Sequence, residues 1–185
     1  MHLKSLTPSR SALLVVDIQD RLMPVIEGRE QVVKNAVLLL KAATVMKMPI
    51  LATTQNVARI GELLPEVKAE LEGAPPLDKM EFGIFSNPQI AKAVDNLPPE
   101  VDTLILTGVE THICVYQSSL GALQAGYTTW VPADAVSSRS RHNHRTGLSR
   151  IREVGGIVAN TEMIIYELLH MAGTPEFKAL LPFLK

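Results

Sequence analysis

Leu104-Ile105-Leu106-Thr107-Gly108-Val109-Glu110-Thr111-His112-Ile113-Cys114 contains an apolar run, a glycine where the run breaks, and a polar restart leading to the only cysteine of the 185-residue chain. A hydrophobic run closed by Gly and followed by Thr-x-x-Cys predicts a buried strand, a tight turn and a helix capped by Thr111, with Cys114 in its first turn. A helix N-terminus favours thiolate, the reactive form of cysteine, over the free thiol pKa of about 8.5. Cys114 is therefore a candidate nucleophile. A lone cysteine is otherwise read as a small buried apolar residue, so partners elsewhere in the chain must decide.

Working outward, Ala12-Leu13-Leu14-Val15-Val16-Asp17 is a second buried-strand pattern, closed by a carboxylate. Helix one is predicted from about Glu30 to Lys47, with Val32, Ala36, Leu39, Leu40, Ala43 and Met46 at helical spacing. Pro49 stops it, and strand two begins at Ile50-Leu51-Ala52-Thr53. Residues 57–78 read as a loop with one short helix, because Pro65, Gly73, Pro75 and Pro76 break any longer element. An amphipathic helix follows over Asn87 to Asn96, with Pro88 at its first position. Beyond the Cys114 helix come a strand at Thr128–Pro132, a helix from about His142 to Val154, a short strand at Ile157-Val158, and helices from Glu162 and Pro175. Alternating strands and helices predict a mostly parallel sheet covered on both faces. With right-handed crossovers this is a three-layer α/β/α, doubly wound (Rossmann-like) single domain over residues 1–185. In such a sheet the carboxyl ends of the strands line one crevice, which places Asp17 and Cys114 on the same cleft. Lys79, in Leu77-Asp78-Lys79-Met80-Glu81-Phe82, is the second candidate partner. A lysine near a thiol favours thiolate, and a carboxylate beside both can carry a proton. Taken singly, Asp17 reads as a turn cap and Lys79 as one more solvated lysine.

Composition bounds the function. Hydrophobic residues make up 46% of the chain, enough for a sizeable core, and a net charge of −1 gives no electrostatic case for nucleic acid. One cysteine excludes an intrachain disulfide framework and points to a reducing compartment. The N-terminal stretch Met1 to Pro8 lacks the pattern of a signal peptide, and no apolar run reaches the roughly 18 residues needed to span a bilayer. The expectation is a cytoplasmic protein that binds neither membrane nor nucleic acid.

Val16-Asp17-Ile18-Gln19, Lys79-Met80-Glu81-Phe82 and Gly108 to Cys114, taken in order, resemble the isochorismatase-like cysteine hydrolases, in particular the small isochorismatase-domain-containing proteins. The likeness runs from about Ser11 to the C-terminal helices. It includes Pro132-Ala133-Asp134-Ala135-Val136-Ser137-Ser138-Arg139-Ser140 and Asn160-Thr161-Glu162. The resemblance implies a catalytic triad of Asp17, Lys79 and Cys114. It further implies an oxyanion hole from the backbone N–H groups of Glu110 and Cys114, set by a cis peptide between Val109 and Glu110. Members that hold a metal carry Asp-x-His after strand two. Here Thr53-Thr54-Gln55-Asn56 stands in that place, so neither metal nor other cofactor is expected, and Gln19 and Gln55 become candidates to orient a substrate. Phe82 and Tyr116, near Lys79 and Cys114 in sequence, are candidates to wall a pocket for a small substrate.

Other features carry less. Residues 137–152 hold five arginines and two histidines, but without a Gly-rich phosphate loop they read as a solvated helix face. His112 and Cys114, two apart on a helix, face away from each other and make no dyad. The expected activity is hydrolysis of a small amide-like substrate through a covalent thioester. The alternatives are vinyl-ether hydrolysis of the isochorismatase type and a catalytically silent binding or redox-sensing member. The apolar tail of Phe177, Leu180, Leu181, Phe183 and Leu184 predicts packing either in a homodimer or homotetramer interface or back on its own subunit.

Overall fold

In the computed structural model, which describes residues 5–71 and 73–184, strand β1 (Ser11–Val16) is buried at every position. It pairs in parallel with β2 (Ile50–Gln55) on one side and β4 (Thr103–Val109) on the other. A strand buried on both faces needs apolar residues along its whole length, so these runs do not alternate polar with apolar. Successive residues instead feed opposite cores. Leu13, Val15, Ile105 and Val109 point into one apolar cluster, and Ala12, Leu14, Val16, Leu104 and Leu106 into the other. The seven-stranded sheet has the order β3-β2-β1-β4-β5-β7, with β3 (Leu77–Lys79), β5 (Thr128–Pro132) and β7 (Ile157–Ala159), while β6 (Val136–Ser137) pairs with β4. Every strand pairing is parallel.

One face is covered by α1 (Arg29–Val45), whose Val32, Ala36, Leu39, Leu40 and Ala43 are buried, together with α7 (Thr161–Leu169) and α8 (Pro175–Leu180). The other carries α4 (Pro88–Asp95), α5 (Tyr116–Gln124) and α6 (Arg141–Glu153). Asn87 caps α4 by accepting the N–H groups of Gln89 and Ile90, and Pro88 occupies a first-turn site where no N–H is needed. This is the three-layer doubly wound fold. Its order reverses between β1 and β4, which makes their carboxyl ends the topological switch point.

Local differences from the sequence reading have local causes. Residues 57–78 form two short helices, α2 (Val57–Ile60) and α3 (Pro65–Ala69), and then β3, rather than a loop with one helix. Strands as short as β3 and β6 leave no periodicity to read. The tail folds back on its own subunit: Leu180 is fully buried in the α1 core, and Phe177 and Leu184 pack against that core. Phe183 remains half-exposed. Residues 1–4 of the N-terminal stretch and residue 185 of the tail lie outside the described residues. No helix among the described residues is long and apolar enough to cross a membrane.

Candidate active site

Asp17 follows β1 immediately, in the left-handed region at φ 53°, and is fully buried. Aspartate tolerates this conformation better than branched or bulky residues. Its two carboxylate oxygens have separate partners. Lys79 Nζ, arriving from the end of β3, donates to Oδ2 at 2.6 Å, and Thr53 Oγ1 from β2 donates to Oδ1 at 2.7 Å. The Lys79 ammonium also donates to Gln55 Oε1 at 2.9 Å, and neither charged side chain has any exposure. A buried ion pair persists only when its remaining donors and acceptors are met, and Thr53 and Gln55 supply that. The register aligns Gln55 with Lys79 across β2 and β3, so the strand ladder itself delivers the ammonium to the end of β1.

Across the switch point, Gly108 lies in β4 at φ 118°, where an added Cβ would fall 2.0 Å from the Val16 carbonyl oxygen. Only glycine allows β4 to run this close to β1. The next peptide, Val109-Glu110, is cis. The chain then makes one π-helical turn over Thr111–Val115 before α5, with the Val115 N–H donating to the Glu110 carbonyl at 3.2 Å. Single π turns often mark functional sites. Cys114 sits inside this turn, 6% exposed. Helix α6 braces the turn from outside. Thr111 Oγ1 and His144 Nδ1 share a hydrogen bond at 2.9 Å, and Gly147 lies so near that a Cβ there would come within 2.9 Å of the His112 backbone.

The sulfur faces Asp17, Lys79 and the Glu110 backbone N–H. Burial, the Asp17 charge and the hydrogen bond that the thiol donates to Asp17 raise its pKa. Lys79 and the Glu110 N–H act against them. The net result pushes the Cys114 thiol up from about 9 to about 12, so the resting sulfur is protonated and not a thiolate. This corrects the expectation of a helix-activated thiolate. Thr111 does not cap a helix either, since Glu110 occupies the cap position without a side-chain cap and the turn is π rather than α. Burial among β-strand residues outweighs the partial charge of one helical turn.

The geometry of these residues accords with a sequence match. A model of the isochorismatase domain fits residues 11–163. The chain belongs to the isochorismatase family. It is 33% identical, over all of its length and 89% of the relative, to a Phytophthora sojae protein described as secreted isochorismatase effector Isc1. Among solved structures it is similar to a Caenorhabditis elegans protein described as MAR1 ribonuclease, with TM-score 0.90 and 28% identity over 97% of this chain and 92% of that one. It is also similar to Pseudomonas aeruginosa YcaC solved with hexane-2,5-diol and covalent acrylamide, with TM-score 0.91 and 25% identity over 99% and 93% of the two chains.

Within this isochorismatase-family scaffold Asp17, Lys79 and Cys114 meet, although the sequence separates them widely. The four residues named for the substrate differ in their surroundings. Gln19 is fully buried, its amide nitrogen donating to the carbonyls of Gln55 and Gly61 and its oxygen accepting the Gln55 N–H, so it ties the end of β2 to the loop after α2. Gln55 holds Lys79, and its own amide nitrogen donates to the Met80 carbonyl. Tyr116 packs in the α4–α5–α6 core and its hydroxyl meets Arg150 of α6. Phe82 stands 53% exposed in the loop after β3. Sequence reading passed over Thr53 and Arg139. Thr53 looked like an ordinary strand residue, and Arg139 looked like part of a solvated basic run. Among the described residues no group of three or more His, Cys, Asp or Glu could hold a metal ion.

Proposed function

We propose that this chain is a cysteine hydrolase that cleaves a small amide-like C–N bond through a covalent thioester on Cys114. The observation that carries the reading is the shared contact of Asp17 with the Lys79 ammonium and the Cys114 thiol. Because the thiol rests protonated, a base must take its proton during attack, and Asp17 is the carboxylate that the thiol already bonds. Sulfur bonds to the carbonyl carbon as the proton passes to Asp17, and the backbone N–H groups of Glu110 and Cys114 receive the oxyanion. The C–N bond then breaks with the Asp17 proton leaving on the amine. Water, deprotonated by Asp17, attacks the thioester, and the released sulfur regains the proton. Lys79 keeps Asp17 oriented and opposes the negative charge that develops on sulfur. No step calls on a metal or cofactor.

Covalent acrylamide in the Pseudomonas neighbour supports looking for an electrophile adduct at this cysteine. The nematode neighbour is described as a ribonuclease, whereas the lysine at this site is committed to Asp17 and Gln55. The rival is vinyl-ether hydrolysis, which asks for a general acid more than a nucleophile, and the cysteine and lysine at this site favour the thioester route over it. Rapid-quench intact-protein mass spectrometry with a panel of small amides tests the assignment. An acyl mass on wild type that is absent from Cys114→Ala supports the thioester. Consumption of isochorismate without any acyl mass would replace it with vinyl-ether cleavage, and no reaction with either class would favour a silent binding member. Assembly as a homodimer or homotetramer is part of the same proposal, tested by light scattering of the full chain. So is a cytoplasmic location, which a lone buried thiol fits, although the Phytophthora relative is described as secreted.

A further inference from the structure

Glu110 has its amide on the Cys114 sulfur and its carboxylate buried, 7% exposed, while the arginine that meets that carboxylate is 58% exposed. Arg139 donates its backbone N–H to Glu110 Oε2 at 2.9 Å and its Nε–H to Oε1 and Oε2 at 3.1 and 3.2 Å. It reaches that place through strand register. β6 aligns Val136 with Gly108 and Ser137 with Val109, and the chain continues alongside the π turn, where Ser138 Oγ meets His112 Nδ1 at 3.0 Å. The segment Val136 to Arg139 thus runs as a splint along the irregular backbone from Gly108 to His112. A buried carboxylate is costly unless paired, and here one backbone N–H and the Nε–H of the same arginine cover both of its oxygens.

We infer that Arg139 is a positioning residue: through the Glu110 carboxylate it fixes the Glu110 backbone N–H on the reacting centre and so keeps the oxyanion site formed. The inference rests on the acyl-transfer reading above. The same N–H also eases thiol ionisation, so its displacement slows alkylation a little, but acylation, in which a carbonyl oxygen gains charge, depends on it far more.

The experiment compares the two reactions on wild type, Arg139→Ala, Arg139→Lys and Glu110→Gln. Acylation uses p-nitrophenyl acetate: sulfur bonds to the acetyl carbon, the thiol proton passes to Asp17, the C–O bond breaks, and released nitrophenolate is read by absorbance. Alkylation uses iodoacetamide and is read by mass. In Arg139→Ala and Glu110→Gln, acylation is expected to fall about tenfold or more, a fraction of what losing an oxyanion donor outright costs, with alkylation within about threefold of wild type. Arg139→Lys should recover part of the loss. A parallel fall in both reactions would make the pair merely structural and overturn the inference, as would acylation unchanged in either variant. Wild type that is alkylated but never acylated would instead remove the proposed function, and the inference with it.

Discussion

On the β1, β2 and β3 side of the switch point the candidate catalytic groups are held by side chains, and on the β4 and β6 side by backbone. Asp17, Thr53, Gln55 and Lys79 form a buried network, in which each charged group has a named partner. Opposite it, Cys114 owes its place to Gly108, the π turn and the brace of α6, with backbone packed on backbone at Gly108 and Gly147. The difference separates two tasks. The side-chain network fixes the carboxylate and the ammonium that face the sulfur, whereas the backbone sets where the sulfur and its neighbouring N–H groups point.

That division is broken first by Gly108→Ala. The added methyl would enter the Val16 carbonyl of the neighbouring strand at a φ that L-residues avoid, so about 4 kcal/mol or more should be lost, with little folded protein recovered. Thermal melts followed by circular dichroism measure it. A variant as stable as wild type would show that β4 can retreat from β1.

Lys79→Ala should cost about 3–5 kcal/mol, because it leaves Asp17 buried without its cation. Adding Asp17→Asn to the same chain should return a good part of that stability in denaturant melts. A loss below about 1 kcal/mol in the single variant would mean that water or rearrangement meets the carboxylate. Thr53→Val keeps shape but deletes the other bond to Asp17, and about 1.5–3 kcal/mol is expected from the same measurement.

A subtler effect is pH-dependent. The folded thiol is raised to about 12 from about 9, so above the ordinary value the unfolded chain gives up this proton before the folded one does. Stability should therefore fall as pH rises from about 9 towards 12, by at most about 1.4 kcal/mol per unit, and this thiol should contribute no slope below that window. Denaturant melts of wild type against Cys114→Ala isolate the thiol from other groups that titrate there. Equal slopes in the two proteins would contradict a protonated resting sulfur, as would alkylation at neutral pH faster than that of a free thiol.

The sequence by itself determined the layered parallel sheet, because strands buried on both faces must be apolar throughout and the helices between them must show one buried stripe. It also put forward Asp17, Lys79 and Cys114, because strand ends in such a sheet share one crevice and because the three motifs in order resemble the isochorismatase-like cysteine hydrolases. Tertiary structure decided the rest. Gln19 and Gln55 were legible as polar, but their partners were not, because the backbone groups they satisfy lie some way along the chain at Gln55, Gly61 and Met80. Arg139 became a partner of Glu110 only through the register of a two-residue strand that leaves no periodic signal. The protonation of Cys114 lies furthest from sequence, since it depends on burial and on charges carried by β1 and β3, and the field at an atom is a property of assembled neighbours rather than of the residues that flank it.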